Sequence, residues 1–138
     1  MRAMPADPPC PCGLPARLSA CCGRWHAGPL QGLAPDAAAL MRSRYSAWVL
    51  QLGGYLLDTW HPRTRPADIE PDQALTWIGL DVVDVVDGAA DDTGGIVEFR
   101  AHWRSGEGRS RQSGTLHERS TFARRGGRWV YLGAETRV

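Results

Sequence analysis

Residues 96–104 read Ile-Val-Glu-Phe-Arg-Ala-His-Trp-Arg, and this stretch decides the fold class. Apolar and polar side chains alternate along it. The apolar ones, which share one face, are Val97, Phe99, Ala101 and Trp103. This period of two is the pattern of a half-buried β-strand. Strands are also predicted over three other segments, which are 80–87, 115–124 and 128–132. Because short polar or glycine-rich turns join them, the strands are expected to form an antiparallel meander.

Upstream of the strands, apolar residues recur at the spacing of a helix. They lie at positions i, i+4, i+7, i+8 and i+11. In this order the residues are Met41, Tyr45, Trp48, Val49 and Leu52. Asp36 is the predicted N-cap, and Gly53-Gly54 is the predicted end. A shorter helix is predicted over 55–60, and one or two helical turns over 71–77. Helices followed by strands indicate an α+β fold, with the long helix packed on one face of the sheet.

The composition excludes several classes of protein. The chain has 138 residues, 16 basic and 15 acidic, and 43% of its residues are hydrophobic. A dedicated duplex-DNA binder normally has a basic excess, so nucleic acid is not an expected partner. The longest uncharged stretch, 45–57, is shorter than the roughly 20 residues of a membrane span. We therefore expect one globular domain of ordinary size with no membrane span.

The charge is unevenly distributed along the chain. Residues 68–98 contain nine acidic residues and no basic one, whereas residues 100–138 contain nine arginines and three acidic residues. Adjacent hairpins with opposite charges can neutralise each other across strands. The alternative is a basic rim that binds an acidic partner or RNA.

All four cysteines lie within the first 22 residues, in the spacing C-x-C-x8-C-C. Four thiolates hold zinc tetrahedrally, so Cys10, Cys12, Cys21 and Cys22 are the predicted zinc ligands. His26 follows at a distance that allows it to replace one thiolate or to hydrogen-bond to a ligand. Disulfides or unrelated buried thiols are the alternative. The amino terminus has no apolar segment typical of a secretory signal, so a cytoplasmic location is expected, where thiols stay reduced.

These observations divide the chain into three parts. Residues 1–26 are the predicted zinc knuckle, because this segment has too few apolar groups to fold without a metal. Residues 27–35 are rich in glycine and proline and are predicted to be a linker. Residues 36–138 are the predicted α+β domain.

The cysteine spacing resembles the SEC-C metal-binding motif. Five further segments, at 41–47, 59–62, 97–99, 117–122 and 127–131, look like the YchJ-type family of bacterial proteins. The resemblance covers roughly residues 10 to 134. It implies a nuclear-transport-factor-like (cystatin-like) cone, in which a curved sheet wraps a long helix and leaves a pocket at one end. Proteins of that fold include isomerases, dehydratases and proteins that only bind partners, so the fold does not decide the function.

A cone of this kind collects side chains from the helix and from the concave face of the sheet. The predicted pocket residues are Arg42, Tyr45, Trp60, Glu118, Trp129 and Tyr131. Glu118 shares an otherwise apolar face with Leu116 and Phe122, so it either pairs with Arg42 or Arg44 or serves acid–base chemistry. His61 is a candidate general base, or it caps the preceding helix.

Two functions are compatible with these residues. The first is a binding or adaptor protein, whose zinc knuckle contacts a protein or peptide partner and whose cone binds a small ligand. The second is a small isomerase or dehydratase that uses Glu118 and His61 for proton transfer. The sequence favours the first, because it contains no recognisable catalytic pairing.

Overall fold

The computed structural model describes residues 7–137, with side chains up to residue 135. The first six residues of the predicted knuckle and Val138 therefore lie outside the described residues. The helices are α1 (Gly23–His26), α2 (Ala37–Leu50) and α3 (Gly53–Asp58). The strands are β1 (Leu75–Asp87), β2 (Gly94–Ser105), β3 (Gln112–Arg125) and β4 (Arg128–Arg137). Within residues 7–137, no helix is long and apolar enough to cross a membrane.

Helix α2 begins as its sequence predicts. The Asp36 Oδ1 atom accepts a hydrogen bond of 2.7 Å from the Ala39 amide, which satisfies one of the donors left open in the first turn. The helix ends at Leu50, before the predicted glycine pair, because Gln51 adopts the left-handed conformation with φ 60°. Gly53 instead opens α3, so the two helices follow each other with only two residues between them.

The four strands pair in the order β1-β2-β3-β4, and every pair is antiparallel. This confirms the predicted meander. The prediction of helical turns over 71–77 is wrong at its end, because β1 already begins at Leu75 and Trp77 pairs with Trp103. Strand β1 also contains a shift of register between Val82 and Asp84.

One apolar core holds the helices on one face of the sheet. Its fully buried members include Leu40 of α2, Leu56 of α3 and Val97 of β2. Each such side chain contributes about 1.5–3 kcal/mol when it leaves water. The result is an α+β fold with a long helix on a curved antiparallel sheet, as the sequence predicted.

The opposite face of the sheet carries a network of charges across all four strands. Glu98 of β2 contacts His117 Nε2 at 2.6 Å and Arg119 Nη1 at 2.9 Å. Arg119 of β3 also contacts Asp84 of β1 at 3.1 Å and Glu135 of β4 at 3.2 Å. The hydrogen bond from His117, followed by that from Arg119, lowers the pKa of Glu98. These residues neutralise one another across strands, which is the first of the two arrangements considered for the uneven charge.

Candidate functional site: a cysteine cluster and a cavity that share one helix

The four cysteine side chains converge into a buried group, here called the cysteine cluster (Cys10, Cys12, Cys21 and Cys22). Their sulfur atoms all lie within 4.8 Å of one another, and all four are free thiols. The Cys12 and Cys21 sulfurs are 3.6 Å apart. Four sulfurs at 2.3 Å around one tetrahedral ion lie about 3.8 Å apart, so the cluster fits a metal ion held by four thiolates.

A tight reversal of the chain brings the two cysteine pairs together. Pro9 and Arg17 form an antiparallel bridge, and the Cys10 amide donates to the Ala16 carbonyl at 2.9 Å. Gly13 has φ 90°, which a residue with a side chain rarely adopts, so glycine permits the turn after the first pair. The second pair lies at the start of α1.

Hydrogen bonds within the cluster already favour one thiolate. The Cys22 thiol donates to Cys12 and thereby lowers the pKa of Cys12, while the same bond raises the pKa of Cys22. Burial raises the pKa of Cys21. Because the thiolate is the metal-binding form, metal binding must release protons from the other cysteines.

Two arginines lie against the backbone of the cluster. The Arg24 Nε atom donates to the Cys21 carbonyl, and Arg42 Nη1 donates to the Cys12 carbonyl, each at 3.0 Å. A divalent ion with four thiolates carries a net charge of about −2, which these cations partly offset. Arg42 therefore contacts the knuckle and does not line the cavity described below.

His26 is tied to helix α2 and stands outside the cysteine cluster. Its Nε2 atom lies 2.8 Å from the Ser43 carbonyl oxygen, and its ring packs edge-on against Tyr55. Burial lowers the pKa of His26, which favours the neutral imidazole. The histidine thus fixes α1 on α2.

The cysteine cluster and the main domain are packed together. The Cys10 sulfur lies 3.6 Å from the Ser46 hydroxyl of α2, and Leu80 of β1 packs against the cysteines. Trp25 of α1 and Ala34 of the predicted linker belong to the main core. Helix α2 is consequently shared between the cluster and the rest of the domain.

A cavity of about 290 Å³ opens on the other side of α2, here called the cone cavity. Its walls come from α2, from Trp60, which follows α3, and from all four strands. The lining residues are Met41, Arg44, Tyr45, Trp48, Trp60, Trp77, Phe99, Ala101, Leu116, Glu118, Ser120, Phe122 and Tyr131. Four of the six predicted pocket residues are among them: Tyr45, Trp60, Glu118 and Tyr131.

The cone cavity has one polar corner, formed by Glu118, Ser120 and Tyr131. The Ser120 hydroxyl donates to Glu118 Oε2 at 2.6 Å, and the Tyr131 hydroxyl donates to the same oxygen at 2.9 Å. Glu118 is only 5% exposed. A buried carboxyl group is costly unless it is hydrogen-bonded, and these two hydroxyls supply that stabilisation.

Arg44 is the cation of the cone cavity. Its Nη1 atom donates to the Leu56 carbonyl at 2.7 Å and to Thr59 Oγ1 at 2.8 Å. Its guanidinium lies 5.0 Å from the Trp60 ring centre and 4.7 Å from that of Tyr131. Burial lowers the pKa of Arg44 to about 10, which leaves it charged at neutral pH, and Glu118 is one of the groups that favour its charge.

Two other predicted site residues lie elsewhere. His61 is not a lining residue of the cone cavity; its Nδ1 atom accepts a hydrogen bond from the Arg63 amide at 3.0 Å. Trp129 is buried in the core, and its indole nitrogen has no hydrogen-bond partner among the described residues. The structure therefore does not bring Glu118 and His61 into one cavity.

Sequence reasoning missed several lining residues, and the signals for them differ. Phe99, Leu116 and Phe122 were recognisable from the period-two pattern as inward-facing. Trp77 was missed because its segment was assigned to a helical turn. The choice between Arg42 and Arg44 required the tertiary structure, since residues two apart point about 200° apart around a helix.

The comparisons with known proteins agree with this architecture. A family profile described as the YchJ middle NTF2-like domain matches residues 36–134. The chain is 50% identical over 128 residues to a UPF0225 protein of Streptomyces coelicolor, covering 93% of this chain and 95% of that protein. It is 48% identical over 139 residues to a UPF0225 protein of Bordetella pertussis, covering 99% of this chain and 100% of the relative.

Two solved structures share the fold. The solution structure of a SEC-C motif containing protein from Rhodopseudomonas palustris aligns with a TM-score of 0.74 at 32% identity, covering 92% of this chain and 97% of that one. The crystal structure of a SEC-C motif containing protein from Psychrobacter arcticus aligns with a TM-score of 0.69 at 27% identity, covering 94% and 82%.

The fold and the cysteine cluster define the class: an NTF2-like α+β domain that carries a SEC-C-type cysteine motif. Within that class, the chain belongs to the YchJ family of UPF0225 proteins. The resemblance found in the sequence is thereby confirmed.

Proposed function

We propose that this protein is a binding protein that acts in the cytoplasm, with a small ligand in the cone cavity and a protein partner at the knuckle. The observation that carries the proposal is the cone cavity itself. It combines apolar, largely aromatic walls with a few convergent polar groups, which is typical of small-molecule sites.

The geometry favours binding over catalysis. An acid–base enzyme needs its proton-transfer groups within hydrogen-bond reach of one bound substrate. Glu118 lines the cone cavity, whereas His61 does not, so the isomerase or dehydratase alternative lacks its second group. No other histidine is among the lining residues of the cone cavity, within the residues that the structure describes.

We further propose that the cysteine cluster holds Zn²⁺ through Cys10, Cys12, Cys21 and Cys22. Four buried thiols with sulfurs within 4.8 Å support a structural site, because all four positions are then filled by protein. Zinc in such a site would stabilise the fold of the knuckle and would leave no open position for a substrate.

Filling the cone cavity provides the test of ligand binding. Ala101 is 2% exposed and lines the cavity, so Ala101→Leu should occupy the space from the sheet side. In a fragment screen by thermal shift, we expect a subset of fragments to raise the Tm of the wild-type protein and to leave that of Ala101→Leu unchanged. The proposal fails if no fragment stabilises the wild type, or if the variant responds to the same fragments equally.

The partner contact is assigned to the exposed loop of the knuckle. Leu14 lies between the cysteine pairs and is 42% exposed, so it is the apolar side chain with which this loop would contact a partner. We expect Leu14→Arg to remove specific partners recovered by crosslinking in bacterial cells. Val85→Arg is the matched control, since Val85 is an apolar side chain on β1 with 46% exposure. A partner set that both variants retain would contradict the assignment.

A further inference from the structure

We propose that an extended acidic segment of a protein partner binds the sheet at the end where the loop between β2 and β3 lies. The binding surface consists of four exposed arginines, here called the arginine surface (Arg100, Arg104, Arg109 and Arg111). It is distinct from the cone cavity and from the exposed loop of the knuckle, so this inference goes beyond the ligand and the partner contact proposed above.

Two members of the arginine surface are placed by the alternation along β2. Phe99 and Ala101 line the cone cavity on one face of the sheet. Because successive side chains of a strand point to opposite faces, Arg100 and Arg104 point to the other face, here called the outer face. They are four residues apart on one strand, which separates them by about 13 Å.

The loop between β2 and β3 carries the other two members, Arg109 and Arg111. It contains a short 3₁₀ turn, in which the Ser110 hydroxyl donates to the Glu107 carbonyl at 2.8 Å. Gly106 has φ 72°, a conformation that glycine adopts readily, so the chain turns tightly after β2. The backbone of both arginines is thereby held at the same end of the sheet as the last residues of β2.

The arginine surface is not neutralised by the rest of the chain. Among the side chains that the structure describes, none forms an ion pair with these four arginines. Asp81, the cross-strand neighbour of Arg100, contacts His102 at 2.8 Å instead. Residues 100–117 contain four arginines and one acidic residue, Glu107. The network around Arg119 neutralises one end of the outer face, whereas the other end keeps an excess of positive charge.

The residues around the arginine surface favour carboxylates over nucleic acid as its ligands. Arginine binds carboxylates and phosphates alike through paired N–H donors, so its own chemistry fits both. Single-stranded RNA also needs aromatic side chains on which its bases stack. The aromatic residues of β2, Phe99 and Trp103, occupy positions of the inner face. A duplex binder normally has a larger basic excess than the net charge of +1 found here.

The spacing of the arginines favours an extended partner segment. Side chains on one face of an extended chain repeat about every 6.6 Å, so carboxylates four residues apart match the separation of Arg100 and Arg104. The acidic stretch of a second copy of this chain is less suited, because its Asp81 and Asp84 already contact His102 and Arg119. We therefore assign the surface to a different protein.

Binding of a designed acidic peptide tests this assignment. In the fluorescein-labelled peptide, Glu and Ser alternate over about twelve residues, which span roughly 40 Å when extended. Its anisotropy is measured at low salt while the full, metal-loaded chain is added. A peptide with Gln in place of Glu and a single-stranded oligouridylate of similar length are measured in the same way.

Two double variants locate the binding surface. The surface variant is Arg104→Glu with Arg109→Glu. The control variant is Arg63→Glu with Arg125→Glu, because these two arginines are also exposed and form no ion pair among the described side chains. Both variants change the net charge of the chain by the same amount, so they differ only in where the charge is reversed.

We expect the acidic peptide, and not its Gln counterpart, to bind the wild-type protein. The surface variant should bind it about tenfold more weakly, because repulsion replaces two exposed ion pairs, whereas the control variant should change the affinity less than about twofold. Added salt should weaken the binding. In ¹⁵N NMR spectra, the peptide should shift backbone amide resonances of residues 100–117. It should leave unchanged the indole resonances of the cavity tryptophans Trp48, Trp60 and Trp77.

The assignment is wrong if the acidic peptide does not bind the wild type, or if both variants weaken its binding equally, since net charge alone then explains the binding. Tighter binding of the oligouridylate than of the peptide would show that the class of partner is wrong. Self-association of the wild type that the surface variant abolishes, measured by analytical ultracentrifugation, would make a second copy the occupant. The ranking of the probes on the wild type decides the class even if a variant does not fold. None of these outcomes bears on the cone cavity or on the contact at Leu14.

Discussion

Cys12→Ser is expected to abolish stoichiometric metal binding and to lower the free energy of unfolding by on the order of 5 kcal/mol. Cys12 is fully buried at the centre of the cysteine cluster, and a structural metal contributes its binding energy to folding. Metal content is measured by mass spectrometry on protein purified under reducing conditions without chelator, and stability by urea unfolding. A wild-type protein without one zinc per chain would refute the zinc assignment.

The Cys12→Ser substitution should also change the environment of residues that line the cone cavity. Cys10 contacts Ser46, and His26 contacts the Ser43 carbonyl, so the knuckle is attached along α2. Loss of the metal should therefore shift the indole resonances of Trp48 and Trp77 as well as that of Trp25. Ala20→Ser is the control, because it adds a hydroxyl beside the cluster at an exposed position and removes no sulfur. If the Trp48 and Trp77 resonances are unchanged in Cys12→Ser, α2 does not transmit the loss of the metal from the cysteine cluster to the cone cavity.

Arg44→Ala is expected to lower the free energy of unfolding by about 3–5 kcal/mol. The change removes a buried guanidinium that stacks near Trp60 and Tyr131, and it leaves the buried carboxyl of Glu118 without that compensating charge. The Leu56 carbonyl also loses its hydrogen bond from this side chain. Urea unfolding monitored by fluorescence and by circular dichroism measures the effect.

Arg42→Ala is the matched control for this variant. It lies on the same helix, is only partly buried and makes one hydrogen bond to the Cys12 carbonyl, so about 1 kcal/mol is expected. In the Arg44→Ala background, Glu118→Gln should recover part of the loss, because it removes the buried negative charge with which Arg44 interacts in the wild type. Equal losses for Arg42→Ala and Arg44→Ala, or strictly additive effects with Glu118→Gln, would refute a stabilising interaction between Arg44 and Glu118.

The sequence by itself determined the sheet, the main helix and the cysteine cluster. Alternation over 96–104 and the helical spacing from Met41 are local patterns, and they follow from the geometry of a single strand or helix. The cysteine spacing is equally local, because a short loop must return its two pairs to one ion. The start of β1 was missed, since Leu75 and Trp77 become a strand only through pairing with Ser105 and Trp103.

Only the tertiary structure decided how these parts are joined. It placed Arg44 in the cone cavity and Arg42 on the knuckle, although the two arginines have the same chemistry and lie two residues apart. It also attached the knuckle to α2 through Ser43 and Ser46, where the sequence suggested a separate segment on a linker. These outcomes depend on which face of the helix meets the sheet, and that is fixed by contacts between distant residues rather than by any local pattern.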